Sequence, residues 1–135
     1  MKELVAKILD EYFKKMREPQ LSEISGVDDT LLNEKWCVFV TLYLNGEVHG
    51  SAGNIKEIHD SLAQEIISST MQALTWDKRF PPLTLEQAEK IQYRIDKIHD
   101  RKMITKKELA GLDPTKQWVI VIKRDYEKLA VILPN

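Results

Sequence analysis

The chain has 135 residues, 43% hydrophobic and 30% charged, and its 20 Lys and Arg against 21 Asp and Glu leave a net charge of −1. That length supports one self-sufficient core, and the charge balance removes the electrostatic case for nucleic acid or an anionic membrane as the main partner. The single cysteine, Cys37, excludes an intramolecular disulfide framework and a cysteine-rich zinc site.

Met1-Lys2-Glu3-Leu4 opens an amphipathic segment with no secretory h-region. No run approaches the ~20 apolar residues of a membrane span, so a cytoplasmic protein is expected. Residues 2 to 17 read as a helix, with Leu4, Val5, Ile8, Leu9, Tyr12, Phe13 and Met16 at helical spacing and Pro19 as its stop. Glu3–Lys7, Asp10–Lys14 and Glu11–Lys15 are spaced to pair on its outer face. From Pro19 to Glu34 the polar punctuation predicts a long loop, with room for one helical turn near Asp29–Leu32.

Residues 36 to 44 predict a strand that is apolar on both faces, and so covered on both. Asn45-Gly46 then signals a two-residue hairpin. The returning strand carries His49-Gly50-Ser51-Ala52-Gly53-Asn54. His49 and Ser51 share a face by alternation, which raises a catalytic dyad. Their bases stand ~6–7 Å apart at the usual strand rise, and no third orienting group lies nearby, so the pairing is strained.

Residues 60 to 76 predict a second helix, with Ser61 and Gln64 spaced as a capping box. Its end runs into Trp76-Asp77-Lys78-Arg79-Phe80-Pro81-Pro82-Leu83, a joint between two elements. Asp77 opposes the negative end of the helix dipole and needs a partner, from Arg79 or from backbone N–H groups. Thr84 and Gln87 cap a third helix over Leu85–Glu89. Strands follow at 91–98, 118–122 and 128–133, the last two joined by a turn at Lys123–Glu127. The expectation is a single α+β domain over residues 1–135. Its mainly antiparallel sheet would hold about five strands flanked by about three helices.

Five collinear motifs carry a resemblance. Val38-Phe39-Val40-Thr41-Leu42 with Asn45-Gly46-Glu47-Val48-His49-Gly50-Ser51-Ala52-Gly53-Asn54-Ile55 resembles a hairpin written (V/F)FV(S/T)L…NGELRGCIGxI. Ser61 to Ile67 resembles SLAEEII, and Asp77 to Thr84 resembles DPRFPPLT. Leu112 to Val121 is similar to LDPxKYGVIV, and Ile132-Leu133-Pro134 to LLP. Together they resemble the AMMECR domain family, in particular the branch called AmmeMemoRadiSam system protein A. The resemblance implies an α+β fold and an association with a Memo-like protein and a radical SAM enzyme. It assigns no reaction to this component. Ser51 stands where the family has its signature cysteine, and His49 where it has arginine. Relative to the family pattern the chain reads as a short member, cut at its C-terminal helix.

Three functions are weighed on these residues. The first is a non-catalytic accessory or binding module, with Asn54, Asp77, Arg79 and Phe80 as ligand or partner contacts and an exposed apolar patch near the last strand. The second is a small enzyme with Ser51 and His49 as catalytic candidates and Arg79 as an anion clamp. Its site would lie between the His49–Asn54 turn and the Asp77–Phe80 joint. The third is a metal site from His49, His59 and His99, whose spacing fits no zinc pattern. No cofactor or metal is expected.

Overall fold

The computed structural model describes residues 1–98, 104, 106–113, 119–122 and 128–132. The expected turn at Lys123–Glu127, the Leu133–Pro134 motif and His99 lie outside them, as do the side chains of the last strand and any apolar patch there. The chain divides into two compact units, Met1–Asp100 and Arg101–Asn135.

The first unit begins with α1 (Lys2–Lys15), whose Leu4, Val5, Ile8 and Leu9 are buried. The helix stops before Pro19 is reached. Met16 takes a left-handed conformation (φ 54°, ψ 37°) and donates its N–H to the Tyr12 carbonyl, closing the last turn. Helical spacing puts Met16 in the apolar stripe, but as a cap it swings out and is 67% exposed. Of the expected surface pairs, Glu11–Lys15 forms at 3.4 Å. Lys7 instead donates to the Ser25 carbonyl at 2.7 Å.

A 3₁₀ turn (Leu21–Glu23) follows, and then α2 (Asp29–Asn33), started by Asp28 accepting from the Thr30 N–H at 2.9 Å. β1 (Val38–Leu44) and β2 (Glu47–Gly53) form the expected hairpin. Asn45 and Gly46 both have positive φ, 55° and 81°, as a type I′ turn requires. Then come α3 (Leu62–Thr75), α4 (Leu85–Ala88) and β3 (Gln92–Lys97). β1 is central in a three-stranded antiparallel sheet of order β2-β1-β3.

The core forms where α1 and α3 cover one face of this sheet. Val38, Val40 and Leu42 point into it from β1, and Leu62, Ile66, Ile67 and Met71 from α3. Burying each such aliphatic side chain contributes roughly 1.5–3 kcal/mol. The other face of β1 is covered too: Phe39 is 2% exposed and Thr41 fully buried.

In the second unit a 3₁₀ segment (Lys106–Gly111) precedes β4 (Val119–Ile122) and β5 (Lys128–Ile132), which pair antiparallel as a separate two-stranded sheet. The expectation of about five strands in one sheet with about three helices is therefore corrected. The main sheet has three strands, and four α-helices occur among the described residues. Alternation identifies a strand but not the sheet it joins, and β4 and β5 satisfy each other as a local pair. The additional helix is α2, whose five residues are too few to show a helical period.

Candidate functional site

The joint is built by the end of α3 and the start of α4. Trp76 closes α3 by donating its N–H to the Gln72 carbonyl at 2.9 Å. Pro81 and Pro82 bar helix continuation. Thr84 and Gln87 then form both halves of a capping box, each bond 3.1 Å, and α4 begins.

Asp77 organises the segment between. Its carboxylate is 7% exposed, and the Arg79 guanidinium grips it through two bonds, Nε to Oδ1 at 2.8 Å and Nη2 to Oδ2 at 2.7 Å. Oδ2 also accepts the backbone N–H of Ser51 at 3.0 Å. β2 is an edge strand, so Asp77 caps an edge donor that would otherwise face water or another chain. The Arg79 bonds, opposed by burial and aided by the Ser51 N–H, hold the Asp77 carboxyl below the usual carboxylate range. It is therefore a fixed anion, with both oxygens engaged.

A second tie lies beside it. His49 Nε2 is 3.0 Å from the Pro81 carbonyl, and since a carbonyl only accepts, Nε2 carries the proton. The His49 ring lies 5.5 Å from that of Phe80, and the Arg79 guanidinium carbon 5.2 Å from the Phe80 centroid. The register explains why His49 reaches this way. Leu42 opposes Gly50 and Tyr43 opposes Val48, which leaves His49 as the extra residue of a β-bulge. Bulges re-aim side chains, and here the imidazole turns to the joint.

Simple alternation would have placed His49 and Ser51 on one face. Instead the Ser51 hydroxyl pairs with that of Thr41 on β1, 3.1 Å away. Neither side chain has the other as its partner, and no base is hydrogen-bonded to the Ser51 hydroxyl among the described residues. Gly50 sits between them for a steric reason. A Cβ added there would meet the Ala73 carbonyl oxygen of α3 at 2.2 Å, so the end of α3 lies against β2 only over a glycine.

The structure thus brings His49, Ser51, Asp77, Arg79 and Phe80 together. Asn54 goes elsewhere. Its side-chain amide donates to Glu65 Oε2 at 3.0 Å, near the start of α3. Glu65 is fully buried, and its other oxygen accepts the N–H groups of Ile58 and His59 at 2.6 and 2.8 Å. A buried carboxylate is tolerated when N–H donors and the positive end of a helix satisfy it. The sequence reading passed over Glu65. The available signal was an acid flanked by Leu62 and Ile66 in the buried stripe of an amphipathic helix. The two histidines among the described residues lie apart: His49 is at the joint, and His59 lies at the Glu65 turn with Nε2 buried and unpartnered among the described residues. No group of three or more His, Cys, Asp or Glu suited to a metal occurs among the described residues.

Beside the joint lies an open groove of about 570 Å³, lined by the end of α1 (Tyr12, Phe13, Met16), the end of α3 (Leu74, Thr75) and the joint from Asp77 to Leu83. No helix among the described residues is long and apolar enough to cross a membrane.

The AMMECR1 family model matches residues 2–135. A protein of Thermotoga maritima is 29% identical over 120 residues, covering 87% of this chain and 66% of its own length. Protein CA_C1420 of Clostridium acetobutylicum is 31% identical over 109 residues, covering 81% of this chain but 22% of its own. The fold resembles the crystal structure of the uncharacterized protein PH0010 from Pyrococcus horikoshii, with a TM-score of 0.72 and 22% identity over 87% of this chain and 60% of that one. The chain therefore spans about two-thirds or less of each of these relatives.

Proposed function

This chain belongs to the AMMECR1 family, and on that premise we propose that it is a non-catalytic accessory module that binds a protein partner through the joint. The observation that carries the reading is how the chemical groups there are used. Asp77 is saturated by Arg79 and the Ser51 N–H, His49 donates to the Pro81 carbonyl, and Ser51 pairs with Thr41. The bonds tie two strongly patterned sequence motifs into one rigid surface, and a rigid surface suits recognition. The family resemblance of the motifs supports placing the chain in the AmmeMemoRadiSam system protein A branch, with Ser51 in the place of the signature cysteine. The partner proposed on that resemblance is a Memo-like protein or a radical SAM enzyme, and the place proposed for the encounter is the cytoplasm. A hydroxyl with no base stays protonated where a thiol could ionise, so cysteine-dependent chemistry is not carried over.

The test is co-expression with a Memo-like protein and, separately, with a radical SAM enzyme of the same genome, read by size-exclusion chromatography with light scattering. A complex is expected, weakened at least about tenfold by Phe80→Ala, in line with an aromatic anchor. The choice of partner is overturned if neither forms a complex, and the role of the joint if Phe80→Ala leaves a complex unweakened.

A small enzyme is the second reading. One observation favours it: the chain Ser51 N–H, Asp77, Arg79 brings both halves of the expected site to one place. Turnover of an ester or phosphoester panel, abolished by Ser51→Ala, would establish it.

A further inference from the structure

The apolar stripe of α1 runs past the core. Leu4, Val5, Ile8 and Leu9 lie in the buried cluster and Tyr12 packs against it, but Phe13 and Met16 belong to neither group. Phe13 is held edge-on to Tyr12, with centroids 5.1 Å apart and rings at 81°. Met16, thrown outward by its left-handed cap, is 67% exposed. Phe80 and the two prolines line the same groove. Apolar side chains that line an open groove outside the buried cluster are the anatomy of a docking surface rather than of a core edge.

The charge at this groove has one sign to spare. Among the residues that line it, the acid is Asp77, and it is already held by Arg79. Lys78 lines the groove and has no ion pair among the described residues. Arg79 uses Nε and Nη2 on Asp77, which leaves Nη1 to donate outward from a side chain that is 67% exposed.

We propose that this groove docks an acidic segment of a partner protein, anchored by Leu or Phe side chains against Phe13, Met16 and Phe80, with its carboxylates on Lys78 and the outer edge of Arg79. This rests on the binding-module reading and adds the chemistry of the segment bound. An open groove whose rim residue is two-thirds exposed cannot enclose a metabolite, whereas small-ligand sites bury most of their ligand. A second copy of the chain would bring the same unpaired cations against these.

The test uses fluorescence anisotropy on the whole chain with three labelled dodecapeptides. One has Leu or Phe at every third or fourth position with Glu or Asp between. The second replaces the acids with Lys, and the third replaces the apolar residues with Ser. The first is expected to bind with a Kd on the order of 10–100 μM, weakening as salt rises. The other two should bind at least about tenfold more weakly. Lys78→Glu, Phe13→Ala and Met16→Gly should each weaken the first about fivefold or more, with circular dichroism showing that the fold is kept. Equal binding of the lysine or serine peptide overturns the proposal, as does no binding at 1 mM or an affinity indifferent to all three substitutions. If the Memo-like complex forms and these peptides do not bind, the groove proposal fails while the module reading stands. If the peptides bind and no such complex forms, that partner is wrong and the groove stands.

Discussion

Asp77→Ala is the most informative single perturbation, because it separates two bonds of different worth. The Arg79 side of the bond is a surface ion pair: the guanidinium is 67% exposed and returns to water when released. Exposed pairs contribute about 0–1 kcal/mol. The Ser51 side is different. Its N–H belongs to a half-buried edge strand and donates at 3.0 Å to a carboxylate that is 7% exposed. A hydrogen bond to a charged group contributes about 1.5–3 kcal/mol. Asp77→Ala should therefore cost about 2–3 kcal/mol, Asp77→Asn about 1 kcal/mol because one acceptor remains, and Arg79→Ala under about 1 kcal/mol.

Urea unfolding followed by circular dichroism reads these differences directly, at unchanged slope. The dependence on pH gives an independent check. The folded-state pKa of Asp77 is lowered, chiefly by Arg79. Its contribution is therefore fully present above the unfolded-state pKa of about 3.9 and is lost as pH falls through the folded value. The gap between wild type and Asp77→Asn should stay constant from pH 7 to about 5 and shrink below about 4. If Arg79→Ala costs as much as Asp77→Ala, or if Asp77→Ala falls within ~0.5 kcal/mol of wild type, the edge-strand bond is not the anchor described here.

Three further outcomes follow from the same geometry. Glu65→Ala strands the Ile58 and His59 N–H groups and the Asn54 amide; it should cost about 3–5 kcal/mol, and hydrogen exchange at Ile58 and His59 should accelerate. Gly50→Ala forces a methyl against the Ala73 carbonyl and should cost about 3 kcal/mol in urea unfolding, because a backbone oxygen cannot move aside. Met16→Gly relieves the left-handed strain at φ 54° and should raise stability by about 0.5–1 kcal/mol, a Tm gain of roughly 2–4 °C in calorimetry.

Local chemistry was legible in this sequence where a short rule decides it. Asn45-Gly46 gave the hairpin, Thr84 with Gln87 gave the start of α4, and Asp77 was marked as an acid in need of a partner at a helix C-terminus. In each case the deciding interaction lies within a few residues. What was not legible depends on register or on distant packing. The alternation rule placed His49 beside Ser51, and a bulge at His49 sends it to Pro81, 32 residues on. Nothing in His49-Gly50-Ser51 marks which residue is extra, because the bulge is fixed by how β1 pairs. Pairing also decided the sheet: β4 and β5 read as strands from their own residues, and their separation from β1 does not.

The joint and the strand opposite it make sense as one device rather than two motifs. Gly50 lets the end of α3 lie against β2, and the chain must then leave the helix within reach of that strand's edge. Asp77 and the Pro81 carbonyl are the groups the exit presents to it, one accepting from Ser51 and one from His49. The prolines fix the distance between these two acceptors. The same turn sets Phe80 against His49 and holds Arg79 in place, while Lys78, one residue on from Asp77, lies at the groove with no ion pair among the described residues. The spacing Asp77-Lys78-Arg79-Phe80-Pro81 thus alternates bonds that lock the edge strand with side chains available to a partner. A change that breaks the lock, such as Asp77→Ala, should therefore lower partner affinity even though the Asp77 side chain is only 7% exposed. A change at Lys78 should lower affinity and leave stability within ~0.5 kcal/mol.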